Sequence, residues 1–314
     1  MKARQLANLP ASIHQRLLTR AKQEGRPLQE LLQYYAIERF LFRLGQSPYA
    51  DKFFLKGAMM LRVWESQIAR PTMDVDLMGR VAASEERLSA IIKEICSQDC
   101  PDDGVQFDSK TFHAEVIRVD AEYQGIRVRF VAFIGKMRVP MQVDVGFGDK
   151  IIPAPMWIHF PTLLDFPPPH LLAYPPEATL AEKFQAIVTL DMANSRMKDF
   201  YDIWTLARRK DFDGRLLSQS IAATFERRKT SLPTDAPTGL TKAFAEDRAK
   251  RMQWDAFLRK GRMDGQGMSL EDVVAFLRDF LLPPTIAAAA AKPFDMQWPP
   301  GGPWRASPGK KRRS

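Results

Sequence analysis

The chain has 314 residues, 45% hydrophobic and 26% charged, with a net charge of +9. This balance excludes disordered, collagenous and membrane-spanning classes, and the length allows two lobes with cores that need no covalent staples. Cys96 and Cys100 are the only cysteines, which excludes a disulfide framework.

No run approaches the roughly 18 apolar residues of a membrane span. The opening decapeptide has no apolar signal core, so the chain reads as soluble and cytoplasmic, with no membrane partner. Five of the excess positive charges (Arg305, Lys310, Lys311, Arg312 and Arg313) lie in the last eleven residues. Positive charge of this size suits a polyanionic partner.

In chain order, residues 8 to about 45 read as two helices. Ile13, Leu17, Leu18 and Ala21 recur at helical spacing in the first, and Leu28, Leu31, Leu32, Tyr35, Ile37, Phe40, Leu41 and Leu44 in the second. Gly25-Arg26-Pro27 breaks them apart. Phe53-Phe54-Leu55 predicts a strand that enters a turn at Lys56-Gly57, with a helix from Ala58 to Glu65. Met73 to Met78 alternates as a strand. Ser84 to Ser97 reads as a helix with an acidic first turn. Three strand-like runs follow, at Phe112–Val119, Ile126–Ile134 and Val139–Phe147. Proline is dense from Pro153 to Pro176 and marks a lobe boundary. Helices are then expected at about 178–191, 199–209, 213–227, 240–260 and 269–281.

The resulting class is α+β. Its expected divisions are an N-terminal helical segment over 1–50, a mixed core over 51–165 and a helical lobe over 166–283. A Pro/Ala/basic tail over 284–314 reads as disordered.

The chemistry concentrates at Asp74-Val75-Asp76. On a strand, residues i and i+2 share a face, so the two carboxylates repel unless a cation compensates them. Magnesium or manganese, which take oxygen ligands, are the natural candidates. Asp76 lies between apolar Val75 and Leu77, which sets it apart from a solvated charge run. Upstream, Lys56-Gly57-Ala58 forms a strand-to-helix turn at which backbone can approach a phosphate. Downstream, Val143-Asp144-Val145 places a third carboxylate inside an apolar strand. Three strand-borne aspartates beside a glycine turn is a layout suited to two-metal phosphoryl or nucleotidyl transfer.

A second cluster follows the prolines. Glu182-Lys183 opens an amphipathic helix, and Arg196, Lys198, Asp199 and Asp202 follow, with Asp199 and Asp202 on one helix face. Lys183 can reach a nucleotide phosphate, and Asp199 can orient it through a charged hydrogen bond. An ordinary surface salt-bridge network is the other reading of this cluster.

The segments Phe54-Leu-Lys-Gly-Ala-Met-Met-Leu61 and Arg70-Pro-Thr-Met-Asp-Val-Asp-Leu77 resemble the first motif of the AbiEii/AbiGii toxin family of nucleotidyltransferases. Gln142-Val-Asp-Val-Gly-Phe147 resembles its third-carboxylate strand. Glu182-Lys183 and Arg196-Met-Lys-Asp-Phe-Tyr-Asp-Ile203 resemble its downstream motifs. The resemblance spans about 28–206.

It implies a polymerase-β-like nucleotidyltransferase core flanked by N-terminal helices and a C-terminal helical lobe. It also implies magnesium or manganese and a nucleoside triphosphate substrate. By this resemblance Asp74, Asp76 and Asp144 hold metal, Lys183 and Asp199 complete the catalytic set, and Lys56, Gly57, Ala58, Arg70, Lys198 and Asp202 join Lys183 in nucleotide binding. The implied activity is transfer of a nucleoside monophosphate to an acceptor, foremost the 3′ end of tRNA, by the toxin of a toxin–antitoxin or phage-defence pair. An antitoxin partner is implied with it. Ala58 departs from the Gly-Ser or Gly-Gly turn of many relatives and removes a phosphate-binding hydroxyl.

Three other readings stand beside this one. The acceptor hydroxyl could belong to a protein or a small molecule. A metal-binding D-x-D glycosyltransferase explains neither Asp144 nor the Lys183 to Asp202 cluster. A non-catalytic nucleic-acid-binding protein on a transferase scaffold has no use for three carboxylates. Histidines 14, 113, 159 and 170 are scattered, and no Walker-type loop, serine-nucleophile elbow or zinc-protease helix motif is present.

Overall fold

A computed structural model describes residues 8–64, 72–118, 124–148, 151–263 and 267–307. The chain divides into two compact units. The first is Met1–Asp149 with Met156–Ala173, and the second is Lys150–Pro155 with Tyr174–Ser314.

The first unit opens with α1 (Leu9–Gln23), whose first turn is capped by Asn8 accepting from the Ala11 amide at 3.2 Å. Next is α2 (Leu28–Gln46), with Leu31, Tyr35, Phe40, Leu41 and Leu44 all buried. The strand β1 (Phe53–Lys56) turns at Gly57 into a short 3-10 segment and α3 (Met60–Trp64). After β2 (Val75–Gly79) comes α4 (Glu85–Cys96), capped by Ser84 accepting from the Arg87 amide at 3.1 Å. A meander of long strands follows: β3 (Val105–Arg118), β4 (Gln124–Ile134) and β5 (Met137–Phe147). Two short strands that the proline-rich composition does not advertise, β6 (Met156–His159) and β7 (His170–Ala173), complete the unit.

Among the described residues these strands form one seven-stranded sheet in the order β3-β4-β5-β2-β1-β7-β6. The β2–β5 and β1–β7 pairs are parallel and the others antiparallel. One face carries the core: Phe53, Leu55, Val75, Leu77, Val128, Val143, Val145, Leu171 and Ala173 pack there with α2 and α4. Strand alternation therefore turns Lys56, Asp76, Arg127 and Asp144 to the opposite face. The N-terminal helices belong to the same compact unit as the sheet, in place of a separate segment over 1–50, because Ile13, Leu17, Leu31, Tyr35, Phe40 and Leu44 join the sheet's core.

The second unit is helical: α5 (Pro176–Leu190), α6 (Met197–Arg209), α7 (Gly214–Arg227), α8 (Lys242–Glu246), α9 (Arg248–Gly261) and α10 (Leu270–Ala289). The single helix expected over 240–260 is two, because Thr241 and Asp247 each cap a new start. Three two- or three-residue strands, β8 (Phe212–Asp213), β9 (Met296–Trp298) and β10 (Arg305–Ala306), make a small second sheet.

The expectation of disorder from 284 onward is overturned through Ser307. The helix α10 runs on through Pro283 and Pro284, with the Ser218 hydroxyl donating to the Pro284 carbonyl at 2.9 Å. Beyond it, the Trp298 indole donates to the Ala207 carbonyl at 2.7 Å and the Trp304 indole to that of Phe280 at 3.0 Å. Three aromatic rings thereby anchor a stretch whose Pro and Gly content reads as loose: Phe280 lies 4.8 Å from Trp298 and 5.7 Å from Trp304. The basic run Lys310–Arg313 lies outside the described residues.

Candidate active site

Strand register assembles the first group. Asp76 and Asp144 are direct partners on the parallel strands β2 and β5. Lys56 is the partner of Asp76 on β1, and Arg127 that of Asp144 on β4. Across four neighbouring strands, each about 4.8 Å from the next, the residues read cation, acid, acid, cation. Like charges placed directly opposite each other destabilise a sheet, and the positive ends of the row offset that repulsion.

Arg127 grips Asp144 with both prongs, Nε donating to Oδ1 at 2.8 Å and Nη2 to Oδ2 at 2.7 Å. Gln142 adds an Nε2 contact to Oδ2 at 3.3 Å. The Asp144 carboxylate holds the Arg127 guanidinium above the usual arginine range despite some lost hydration, and the charge of Asp74 acts in the same direction. Asp74 stands immediately before β2, two residues ahead of Asp76.

Gly57 has φ +69°, and a Cβ built there would lie 2.1 Å from Asp76 Oδ2. The carboxylate therefore rests in a cradle that only glycine leaves open. Lys56 Nζ reaches along the same face to 3.8 Å from where a Cβ on Gly146 would stand. The helical stretch after Gly57 is short, a three-residue 3-10 turn and the five-residue α3, and Ala58 lies within that turn.

Three residues outside the expected motifs support this group. Gln33 of α2 donates through Nε2 to the Met73 carbonyl at 3.2 Å and the Pro140 carbonyl at 2.6 Å. Tyr34 accepts from the Thr72 amide at 3.1 Å. Together they fix the chain leading into Asp74 and tie it to the strand bearing Asp144. Arg127 is the third, and its signal is in the sequence: it occupies a polar position of the alternating run Ile126–Ile134. Gln33 and Tyr34 have no such signal, since both lie in a helix that reads as packing. Arg70 lies outside the described residues.

The second group is built on helices. Asp199 and Asp202 share a face of α6 as their spacing requires, and both have 0% side-chain exposure. Lys183 of α5, 11% exposed, places Nζ 2.9 Å from Asp199 Oδ1 and 2.7 Å from Asp202 Oδ2. Arg196 closes the cluster with Nε 2.8 Å from Asp199 Oδ2. Lys198 is exposed beside it. The structure thus brings Lys56, Gly57, Asp76 and Asp144 together in the first unit, and Lys183, Asp199 and Asp202 in the second.

Among the described residues no three His, Cys, Asp or Glu side chains converge closely enough to enclose a metal ion, and no helix is long and apolar enough to cross a membrane. In kind, the first group fits a hard divalent cation. Its donors are carboxylate oxygens on one face, and the cradle at Gly57 holds one of them.

The fold is that of MenT4, a nucleotidyltransferase toxin from Mycobacterium tuberculosis H37Rv. The two superpose with a TM-score of 0.50 at 16% identity, over 89% of this chain and 98% of that one. JHP933 from Helicobacter pylori is a more distant match, with a TM-score of 0.43 at 13% identity over 84% of this chain and 93% of that one. No curated protein sequence matches the chain. Residues 39–278 match the family model described as "Nucleotidyl transferase AbiEii toxin, Type IV TA system". That span starts within α2, includes both clusters and extends into α10. The chain belongs to the AbiEii nucleotidyltransferase toxin family of type IV toxin–antitoxin systems.

Proposed function

We propose that this chain transfers a nucleoside monophosphate from a nucleoside triphosphate to the 3′ hydroxyl of tRNA, in a reaction dependent on magnesium or manganese. It would act in the cytoplasm, where that acceptor is found, as the toxin partnered by an antitoxin or as part of a phage-defence pair. The observation that carries the reading is the in-register pair Asp76 and Asp144 on adjacent parallel strands, with Asp74 two residues ahead.

Asp74, Asp76 and Asp144 would hold the metal. Bound divalent ions would supply charge neutralisation at the triphosphate and a lowered proton affinity for the attacking hydroxyl. The chain's own residues do the rest. Gly57 keeps the Asp76 carboxylate close to the backbone turn. The Lys56 ammonium provides positive charge on the same face. Asp144 helps to activate the acceptor hydroxyl, whose oxygen forms the new bond to the α-phosphorus as pyrophosphate leaves. In the second unit, Lys183 takes a phosphate, and Asp199 and Asp202 orient it. The ion pairs at 2.9 and 2.7 Å support the orienting part of that assignment. Arg70, Lys198 and Ala58 are carried over from the family motif as further nucleotide contacts. The acceptor assignment draws on the net charge of +9 and on its concentration at the C-terminal end.

The test is transfer of label from each α-labelled nucleoside triphosphate to total tRNA with magnesium, run beside Asp76→Ala. Label on RNA from the wild type alone establishes the reaction and names the nucleotide. No label with any of the nucleotides removes tRNA as the acceptor and moves the search to protein or small-molecule hydroxyls.

A further inference from the structure

We propose that Arg127 is a built-in counter-cation that holds Asp144 away from the metal-binding arrangement until a divalent ion takes its place. This rests on the reading of Asp74, Asp76 and Asp144 as metal-holding carboxylates.

Three observations carry it. A carboxylate offers about four lone-pair positions. Arg127 occupies one on each oxygen of Asp144, and Gln142 a second on Oδ2. One position on Oδ1 is left, so while Arg127 holds it Asp144 can offer an ion a single contact and not both oxygens. Asp144 also stands between its two alternatives. Arg127 is its register partner on β4 and Asp76 its register partner on β5's other neighbour, β2. Each is about one strand spacing away. A change of side-chain rotamer, with no movement of strands, transfers the carboxylate from one side to the other. Finally, the pair is exchangeable. Its side chains are 27% and 16% exposed, so water screens their attraction, and a doubly charged ion competes favourably with a singly charged guanidinium.

Without a metal, two carboxylates in register repel each other, and the pairing with Arg127 relieves that repulsion. With a metal, the same relief comes from the ion, and Arg127 is released onto the sheet face that carries the site. Arg127 is therefore a positioning residue that sets how much metal the site requires.

The measurement is Mn2+ binding to the full chain without nucleotide, followed by the loss of the free-ion paramagnetic resonance signal at fixed ionic strength. Arg127→Met is expected to bind Mn2+ about tenfold more tightly than the wild type. Arg127→Lys is expected to fall between them, because a point charge cannot reproduce the two-pronged grip. Arg129→Met, two residues along the same strand face and paired with Glu115 at 2.5 Å, controls for simple loss of positive charge and is expected to leave Mn2+ affinity within twofold of the wild type.

Unchanged or weaker Mn2+ binding in the Arg127 variants, with the wild type still binding, overturns the proposal and leaves the metal reading intact. Equal tightening in Arg129→Met also overturns it, since the effect would then be general electrostatics. If neither the wild type nor Arg127→Met takes up Mn2+, or if Asp76→Asn binds it as tightly as the wild type, the metal reading itself fails and the proposal with it. Should Arg127→Met not fold, Arg127→Lys decides alone, and affinity equal to the wild type overturns the proposal.

Discussion

The two units each hold a pair of aspartates between two cations, yet the pairs are built for different tasks. In the first unit Asp76 and Asp144 lie on strands, on the sheet face away from the core, and Asp144 and Arg127 keep contact with water. In the second unit Asp199 and Asp202 lie on a helix with no exposure, with the nearly buried Lys183 against both and the more exposed Arg196 against Asp199. Partly hydrated ion pairs exchange partners at small cost. Buried ones do not, because removal of one member leaves an uncompensated charge in a medium of low polarity. The difference is in the acids: Asp144 stays within reach of water, whereas Asp199 and Asp202 are held out of it against Lys183.

The comparison breaks first at Asp76. Asp76→Asn is expected to lower transfer activity by roughly a thousandfold or more, several kcal/mol of transition-state stabilisation. Its melting temperature should stay level or rise, since one of two repelling charges is gone. A parallel collapse of the fold would place Asp76 with the buried acids instead.

Lys183→Met should lose transfer activity and stability together, the latter by about 3–5 kcal/mol by urea unfolding. Arg127→Met should cost less, about 1–2 kcal/mol, because that pair keeps some contact with water. Equal stability losses at both positions would erase the distinction between the hydrated pair and the buried one.

Glu38 sharpens the comparison within the first unit. It is buried beside Arg39 at 2.7 Å and accepts the Leu163 amide at 2.6 Å. Burial pushes its carboxyl up to about 7, against the pull of Arg39. The folded state thus keeps this proton while the unfolded chain releases it near the ordinary glutamate value. Relative to Glu38→Gln, the wild type loses stability as pH rises from about 4.5 to 7 and holds level above, by up to about 3 kcal/mol. Denaturant melts of both proteins across that window measure it, and a difference that does not vary with pH would remove the assignment.

A modest effect is expected at Gly57. Gly57→Ala must place a Cβ against Asp76 Oδ2 and adopt an unfavourable positive φ, which costs about 1–3 kcal/mol. Calorimetry with and without Mn2+ should show both a lower melting temperature and a smaller rise on metal addition. A normal metal response would separate the turn from the site.

Much of this molecule is legible along the chain because its signals are local. Alternation at Val75-Asp76-Leu77 and Val143-Asp144-Val145 sends the carboxylates to the face opposite the apolar residues whatever the strands pair with. The spacing of Asp199 and Asp202 places them on one side of a helix before any neighbour is known. The Ser84 cap and the break at Gly25-Arg26-Pro27 are likewise written in a few consecutive residues.

Tertiary structure decided what depends on distant partners. The parallel register that sets Asp76 against Asp144 joins segments far apart in sequence, and the same holds for the grip of Arg127 and the double anchor of Gln33. It also folded the segment after Pro283. There, composition predicts a loose tail, but Trp298 and Trp304 find a carbonyl and an aromatic neighbour on α6 and α10. Periodicity reports which way a side chain points. What it meets there is fixed by strand order and helix packing, where the burial of apolar surface outweighs the local preference of proline and glycine for open chain.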